Sequence, residues 1–432
     1  MLMRFRLANY KSFLEESELT FVPARGNRSC SKPIYPLQSR TNEVGVLPVA
    51  AIYGANASGK SNVLKGLMLF VKEIINGSRS KKFTLGEQWF KLEPDAEFTP
   101  TMFELDFVAN DTHYTYGIEA GRKRIEQEWL YKWKYGKKKT RAVLFHRNDA
   151  EEEPYHFGRQ LKGRNKIISE LTKATSLFLT TAATANHAEL GQIHEYFKSN
   201  FSFRFGYQDI EAFDATHIEQ SKLETKVSGF LSKLDTGIHR IQVFEEELDS
   251  DSKKILKALS GSFSEISKDD PDVRFEFPEK KKGIQTFHRS SNGDDIPFSF
   301  TEESLGTRAL ISILTPVLII LEKGGTLVID EIEDSLHALM TTEIVKLFQD
   351  ETVNSVGAQL LFSTHETHIL GSKILDRDQV WFCEKSKEGA SVLYPLSSFR
   401  LQKTDNMERG YLGGRFGGLP IIGELTSLTR EV

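Results

Sequence analysis

Gly54-Ala55-Asn56-Ala57-Ser58-Gly59-Lys60-Ser61 gathers two glycines, a lysine and two hydroxyls into one short stretch. Such a loop suits an anion, because its backbone N–H groups and the N-terminus of the next helix can receive phosphate without side-chain charge. Lys60 adds a cation for β- and γ-phosphates, and Ser61 a hydroxyl for Mg²⁺. The flanks agree. Val49-Ala50-Ala51-Ile52-Tyr53 is an apolar run of strand length, and Asn62 to Phe70 has the apolar spacing of a buried helix. Strand, glycine loop and helix make the context that a P-loop requires. A nucleoside triphosphate is the expected ligand, held by Gly54, Asn56, Ala57, Ser58, Gly59, Lys60, Ser61 and Asn62.

Three later segments could complete the chemistry. Gly325-Thr326-Leu327-Val328-Ile329-Asp330-Glu331 reads as an apolar strand ending in carboxylates. It places Asp330 at the carboxyl edge of a parallel sheet, where it can hold Mg²⁺ opposite Ser61. Glu331 can orient or deprotonate an attacking water. Thr301-Glu302-Glu303-Ser304-Leu305-Gly306-Thr307-Arg308 opens an apolar helix. It reads either as a second anion-receiving end or as a plain N-cap made by Ser304. Gln359 to His365 is another apolar strand with a polar tip, where His365 either meets the γ-phosphate or the water, or caps the next helix.

The elements that must position these residues follow from the whole chain. Its 432 residues exceed one ordinary core, so two lobes are expected. A 39% hydrophobic and 27% charged composition is that of a soluble globular protein. A net charge of −4 argues neither for nor against nucleic acid. Two cysteines, Cys30 and Cys383, fit a reducing cytoplasm and cannot build a metal cluster alone. The start lacks a signal-like apolar region. The most apolar stretch, Leu310 to Leu321, contains Pro316 and is too short to cross a bilayer.

Taken in order, Leu2–Leu7 and Glu18–Val22 read as strands around Asn9-Tyr10-Lys11-Ser12-Phe13, and 23–46 as loop. Between 83 and 147 alternating runs and turns predict an antiparallel sheet, with a hairpin turn at Ala109-Asn110-Asp111. The segment Trp129 to Arg141 continues it and mixes lysines with Trp133 and Tyr135. That composition suits a nucleic-acid backbone and its bases, or simply a solvated Lys-rich hairpin. From 160 to 265 the pattern is mostly helical, through Ile167–Leu179, Leu190–Phe201 and Ile218–Leu234, without a heptad run. Exposed hairpins are expected over 266–297, and alternating strand and helix beyond 300. The resulting division is 1–150 for the first part of the triphosphate lobe, 151–297 for a mainly helical insertion, 298–395 for the second part and 396–432 for a tail. The fold class is α/β.

The order of P-loop, Ser304-x-Gly306 before a helix, strand-Asp330-Glu331 and strand-His365 resembles ABC-type ATPase heads, of the SMC, RecF and OLD-like kind. Asn9 to Phe13 looks like their N-terminal strand-turn, and Glu333-Asp334-Ser335-Leu336-His337 like their D-loop. Arg377 to Lys385, Leu393 to Phe399 and Gly410 to Pro420 resemble ATP-binding proteins of phage-defence operons, of the RloA, AbiLi and PtuA type. The resemblance implies ATP and Mg²⁺ as ligands, a mixed sheet with an added antiparallel subdomain, and head-to-tail homodimers or larger oligomers. In such a dimer Lys60, Ser61, Asp330, Glu331 and His365 act in cis, and Ser304 and Gly306 in trans. The usual Ser-Gly-Gly-Gln signature is replaced here by Ser304-Leu305-Gly306-Thr307, with Arg308 next. Gln88 and Gln127 are both candidates for the family's Q-loop glutamine.

On that likeness the expected function is the ATPase subunit of an anti-phage system that controls a separately encoded nuclease or toxin. Two other readings stand beside it: a RecF-like repair ATPase that binds DNA directly, and a nucleotide-gated scaffold holding a toxin inactive. A cytoplasmic location and no membrane partner are expected. The tail segment Gly410 to Pro420 is expected to clasp the ATPase lobe or a partner.

Overall fold

The computed structural model describes residues 1–24, 34, 44–77, 85–135, 139–206, 215–247, 280–402 and 405–419. The loop expected at 23–46 lies largely outside the described residues. So do the Lys137-Lys138 turn, residues 266–279, Cys30 and the end of the tail from Pro420. Contacts divide the chain into two units, Met1–Gly206 with Ile320–Val432, and Tyr207–Ile319.

The first unit holds two sheets. One has seven antiparallel strands in the order β2-β1-β4-β5-β6-β7-β8. They are β1 (Leu2–Ala8), β2 (Ser17–Thr20), β4 (Thr101–Ala109), β5 (Thr112–Ala120), β6 (Ile125–Lys134), β7 (Thr140–Asn148) and β8 (Tyr155–Phe157). The β4–β5 turn is Asn110-Asp111, both with positive φ (47° and 53°), as the tight primed hairpin turn requires. The other sheet has the order β16-β15-β3-β14-β13-β9. Its members are β3 (Val49–Tyr53), β9 (Phe201–Phe205), β13 (Thr326–Asp330), β14 (Gln359–Ser363), β15 (Val380–Lys385) and β16 (Ser391–Pro395). All its pairings are parallel except β15 with β16. Parallel strands buried on both faces read as continuous apolar runs, and β3 is buried at every residue.

Gln359 joins the two sheets. Its side chain accepts from the Leu2 N–H (2.7 Å) and donates to the Leu2 carbonyl (2.8 Å). Between the sheets runs the helix Lys60–Asn76. Its Phe70 stacks on Phe103 (5.5 Å) and Tyr116 (5.6 Å) of the antiparallel sheet.

Residues 165–200, expected within the insertion, belong to this first unit. Glu128 of β6 is fully buried, and its carboxylate accepts from the Phe178 and Leu179 N–H groups, which start the helix Phe178–Thr184. Thr180 of that helix donates to the Ile74 carbonyl at 2.8 Å, tying it to the helix Lys60–Asn76. The expected helix Ile167–Leu179 is thus two, Asn165–Leu171 and Phe178–Thr184, and the helix Ala188–Asn200 ends where β9 begins. β9 carries Phe201, Phe203 and Phe205 at period two, the spacing of a strand.

The second unit contains the helices Thr216–Gln220 and Glu224–Leu231 and an antiparallel sheet β10-β11-β12. These strands are β10 (Ile238–Glu247), β11 (Lys280–Arg289) and β12 (Asp295–Ser299). The expected hairpin is present at Ser290 to Asp294, whereas β10 lies in a stretch read as helical. The helix Leu305–Lys323 spans the division, its residues from Ile320 on being assigned to the first unit. It is longer than its apolar core Leu310–Leu321, and by length and composition alone could cross a membrane. Ile311, Leu314 and Val317 are buried within the protein, as in a core helix that is apolar all round.

Candidate functional site

The loop Gly54–Gly59 connects β3 to the helix Lys60–Asn76 at the carboxyl edge of the parallel sheet. Its glycines answer to close approach. A Cβ on Gly54 would lie 2.2 Å from the Cys383 carbonyl oxygen, and one on Gly59, where φ is +117°, 2.3 Å from Ser391 Oγ. Ala57 also takes a positive φ of 62°, a conformation costly for a side-chain-bearing residue and common at binding loops. The loop encloses a cavity of about 560 Å³ lined by Ser12, Asn56–Asn62, Glu331, His365 and Lys385.

Lys60 is buried, and its ammonium donates to the carbonyls of Gly54 (2.7 Å) and Ala55 (3.1 Å). Burial pulls its pKa below the usual lysine range, against the opposing pull of Cys383, Glu331, Glu333 and Asp330. Ser58 Oγ is buried without a hydrogen-bond partner among the described residues, a donor left over for a ligand oxygen.

Across the cavity, Asp330 ends β13. Its Oδ1 accepts from Ser61 Oγ (3.0 Å) and from Ser363 Oγ (2.6 Å), the latter at the end of β14. Ser363 Oγ in turn accepts from the Glu331 N–H at 2.8 Å. A hydroxyl and a carboxylate oxygen in hydrogen-bond contact are hard oxygen donors of the kind Mg²⁺ takes with phosphate. Glu331 has φ 54°, a reversal that turns its exposed side chain onto the cavity wall. Glu333 has its side chain largely covered and holds His365 twice. Its Oε1 accepts from the His365 N–H (2.8 Å) and lies 3.2 Å from Nδ1. A carboxylate can only accept, so Nδ1–H points to Glu333 and Nε2 is left for the cavity.

The back of the loop is held by the hairpin β15–β16 and the N-terminal turn. Ser391 Oγ lies 2.5 Å from the Ser58 carbonyl and 2.8 Å from Ser12 Oγ, and Asn62 Nδ2 donates to Ser12 Oγ at 2.8 Å. Cys383 Sγ approaches the same Ser58 carbonyl at 3.3 Å, and burial pushes its thiol up to about 12. The tail completes this packing. Tyr411 stacks on Phe382 (5.3 Å) and meets Tyr53 edge-on (6.0 Å), while Gly418 N–H donates to Glu384 at 2.9 Å.

Of the residues expected at the site, Asn56 to Asn62, Glu331 and His365 line the cavity, Gly54 supports the loop from below, and Asp330 meets Ser61. Ser304 and Gly306 lie in the second unit. Ser304 Oγ accepts from the Thr307 N–H (3.2 Å), as an N-cap does. Neither Gln88 nor Gln127 lines the cavity. Gln88 pairs with the turn at Tyr10 and Lys11, and Gln127 with Glu119. Sequence reasoning assigned no site role to Ser12, Ser363, Glu333, Lys385 or Ser391. Ser363 and Glu333 each stand two residues from an assigned position; Ser12, Lys385 and Ser391 come from segments near the two ends of the chain.

No curated protein matches the chain. Among solved structures, the SMC head domain from Thermotoga maritima is similar at 15% identity over 91% of this chain and 98% of that one, with a TM-score of 0.40. An SMC head bound to the C-winged helix domain of ScpA is similar at 14% identity, over 93% and 98%, with a TM-score of 0.44. Residues 49–371, from β3 past β14, match the family described as "AAA domain, putative AbiEii toxin, Type IV TA system". That span is well over half of the sequence and holds the P-loop, Asp330, Glu331 and His365, so the chain belongs to this AAA family.

Proposed function

We propose that this chain binds and hydrolyses ATP with Mg²⁺, as the ATPase subunit of a bacterial anti-phage defence system that controls a separately encoded nuclease or toxin. The observation that carries the ATPase reading is the meeting of Ser61 and Asp330 at the mouth of a P-loop cavity. On this reading the loop N–H groups and Lys60 receive the phosphates, while Ser61 and Asp330 hold the metal. A Mg²⁺ held by these two residues would supply positive charge to the phosphates. Glu331 orients and deprotonates the attacking water, and His365, fixed through Nδ1 by Glu333, presents Nε2 to the γ-phosphate side. Ser304 and Gly306 serve the site of a second copy in a head-to-tail homodimer.

Support for the effector comes from the family's description, which names a toxin and a toxin–antitoxin system. The test is purification with the products of neighbouring genes, with ATP and with Glu331→Gln. A stoichiometric partner carrying nuclease or toxin motifs is expected. A protein that purifies alone and gains DNA binding with ATP would replace this reading by the repair-type one. The basic strand segment offers that alternative little free aromatic surface. Lys139 already lies 4.0 Å from the Trp133 ring centre, and Arg141 4.3 Å from that of Tyr131.

A further inference from the structure

β15 and β16 present one shared face to the P-loop. Side chains two apart on a strand share a face, so Lys385 points the same way as Cys383. Ser391 is the direct cross-strand partner of Lys385 and lies on that face too. Cys383 and Ser391 both touch the Ser58 carbonyl, at 3.3 and 2.5 Å, which fixes the hairpin to the loop. The third side chain, Lys385, lines the cavity in front of the loop. The residue is exposed, and its ammonium makes no ion pair or hydrogen bond among the described residues.

We propose that Lys385 is a second cation of the nucleotide site, contacting the polyphosphate from the side opposite Asp330 and Glu331. The inference rests on the P-loop cavity being the nucleotide site. A lysine is a compact point charge on a flexible stem and suits phosphate oxygens whose position is set by other groups. Lys60 is committed to the loop carbonyls of Gly54 and Ala55 and is buried. Lys385 is the solvent-side cation, able to meet an incoming ligand and screen its charge.

The test is equilibrium binding of ATP, ADP and adenosine with Mg²⁺ to the full chain, comparing wild type with Lys385→Ala, Lys385→Glu, Lys385→Arg and Lys60→Ala. Lys385→Ala is expected to weaken ATP and ADP binding about tenfold without changing weak adenosine binding. Lys385→Glu should weaken them further, and Lys385→Arg should restore most of the loss. The gap between wild type and Lys385→Ala should shrink as salt rises, as for a screened charge contact. Unchanged ATP and ADP affinity in both Lys385→Ala and Lys385→Glu, with binding strongly weakened in Lys60→Ala, would overturn the role of Lys385 and leave the site standing. No ATP binding by the wild type would overturn both. An equal loss for adenosine would also overturn the proposal, since it would place Lys385 at the nucleoside.

Discussion

Ser391 Oγ sits 2.5 Å from the carbonyl oxygen of Ser58, 333 residues earlier in the chain. A carbonyl cannot donate, so the Ser391 proton points to Ser58. Ser391 Oγ is also within donating distance of Ser12 Oγ (2.8 Å), and the Asn62 amide donates to that same Ser12 oxygen (2.8 Å). These three contacts link the two ends of the P-loop, from Asn62 back to Ser58. They pass through the N-terminal turn and the last hairpin of the parallel sheet. Cutting the link at Ser391 leaves the Ser58 carbonyl with only the weak Cys383 thiol as donor, a loss of about 1 kcal/mol. Ser391→Ala is therefore expected to lower thermal stability, and to loosen the loop enough to weaken ATP binding several-fold. Calorimetric melting and nucleotide titration of the same sample check both. Unchanged melting and affinity would show that the loop does not depend on this clasp.

Lys60 and Glu331 line one cavity but should fail in different ways. Lys60→Ala removes the buried cation and is expected to weaken ATP binding roughly a hundredfold, about 2.7 kcal/mol. Glu331→Gln keeps the cavity and its size, and should bind ATP as the wild type does. Its hydrolysis rate should fall by about 10²–10⁴, the usual worth of a positioned base. Single-turnover hydrolysis with saturating ATP separates the two. A Glu331→Gln protein as fast as wild type would remove the base assignment.

Much of this site was legible because its parts are local. Gly54 to Asn62 and the strand ending at Asp330 each carry their chemistry within one short segment, with flanks that announce strand or helix. The clasp could not be read in that way. Ser12 and Ser391 are ordinary serines until the fold brings two chain ends to one loop. Glu333 was visible only as part of a loop, since its grip on His365 depends on β13 and β14 being neighbours. The helical spacing of Leu190 to Phe197 runs on to Phe201 in the sequence, whereas the helix ends at Asn200 and Phe201, Phe203 and Phe205 alternate along β9. Glu128, buried on β6, ties the stretch after 150 to the strands before it. That carboxylate caps the helix Phe178–Thr184 and so joins 165–200 to the first unit.

Glu333 gives a test of positioning distinct from chemistry. It touches His365 through both backbone and ring, at 2.8 and 3.2 Å, and does not line the cavity itself. If its role is to hold the imidazole, Glu333→Ala and His365→Ala should each slow hydrolysis, about tenfold or more, with ATP affinity little changed. The double variant should be no slower than the worse single one, since groups acting as a unit are not additive. Additive losses would assign Glu333 a separate role.

Glu73 links the helix that follows the P-loop to pH. Burial raises its carboxyl to about 7 from the model-peptide value of 4.5. The folded protein therefore keeps a proton there that the unfolded chain loses near 4.5. Between those values the unfolded state binds fewer protons, so stability falls as pH rises, and levels off above about 7. Glu73→Gln holds the neutral form permanently. It should melt higher than wild type at pH 8, with the difference shrinking as pH falls below 5. Melting curves across that range decide it. A constant difference at every pH would mean that Glu73 acts through packing and not through its proton.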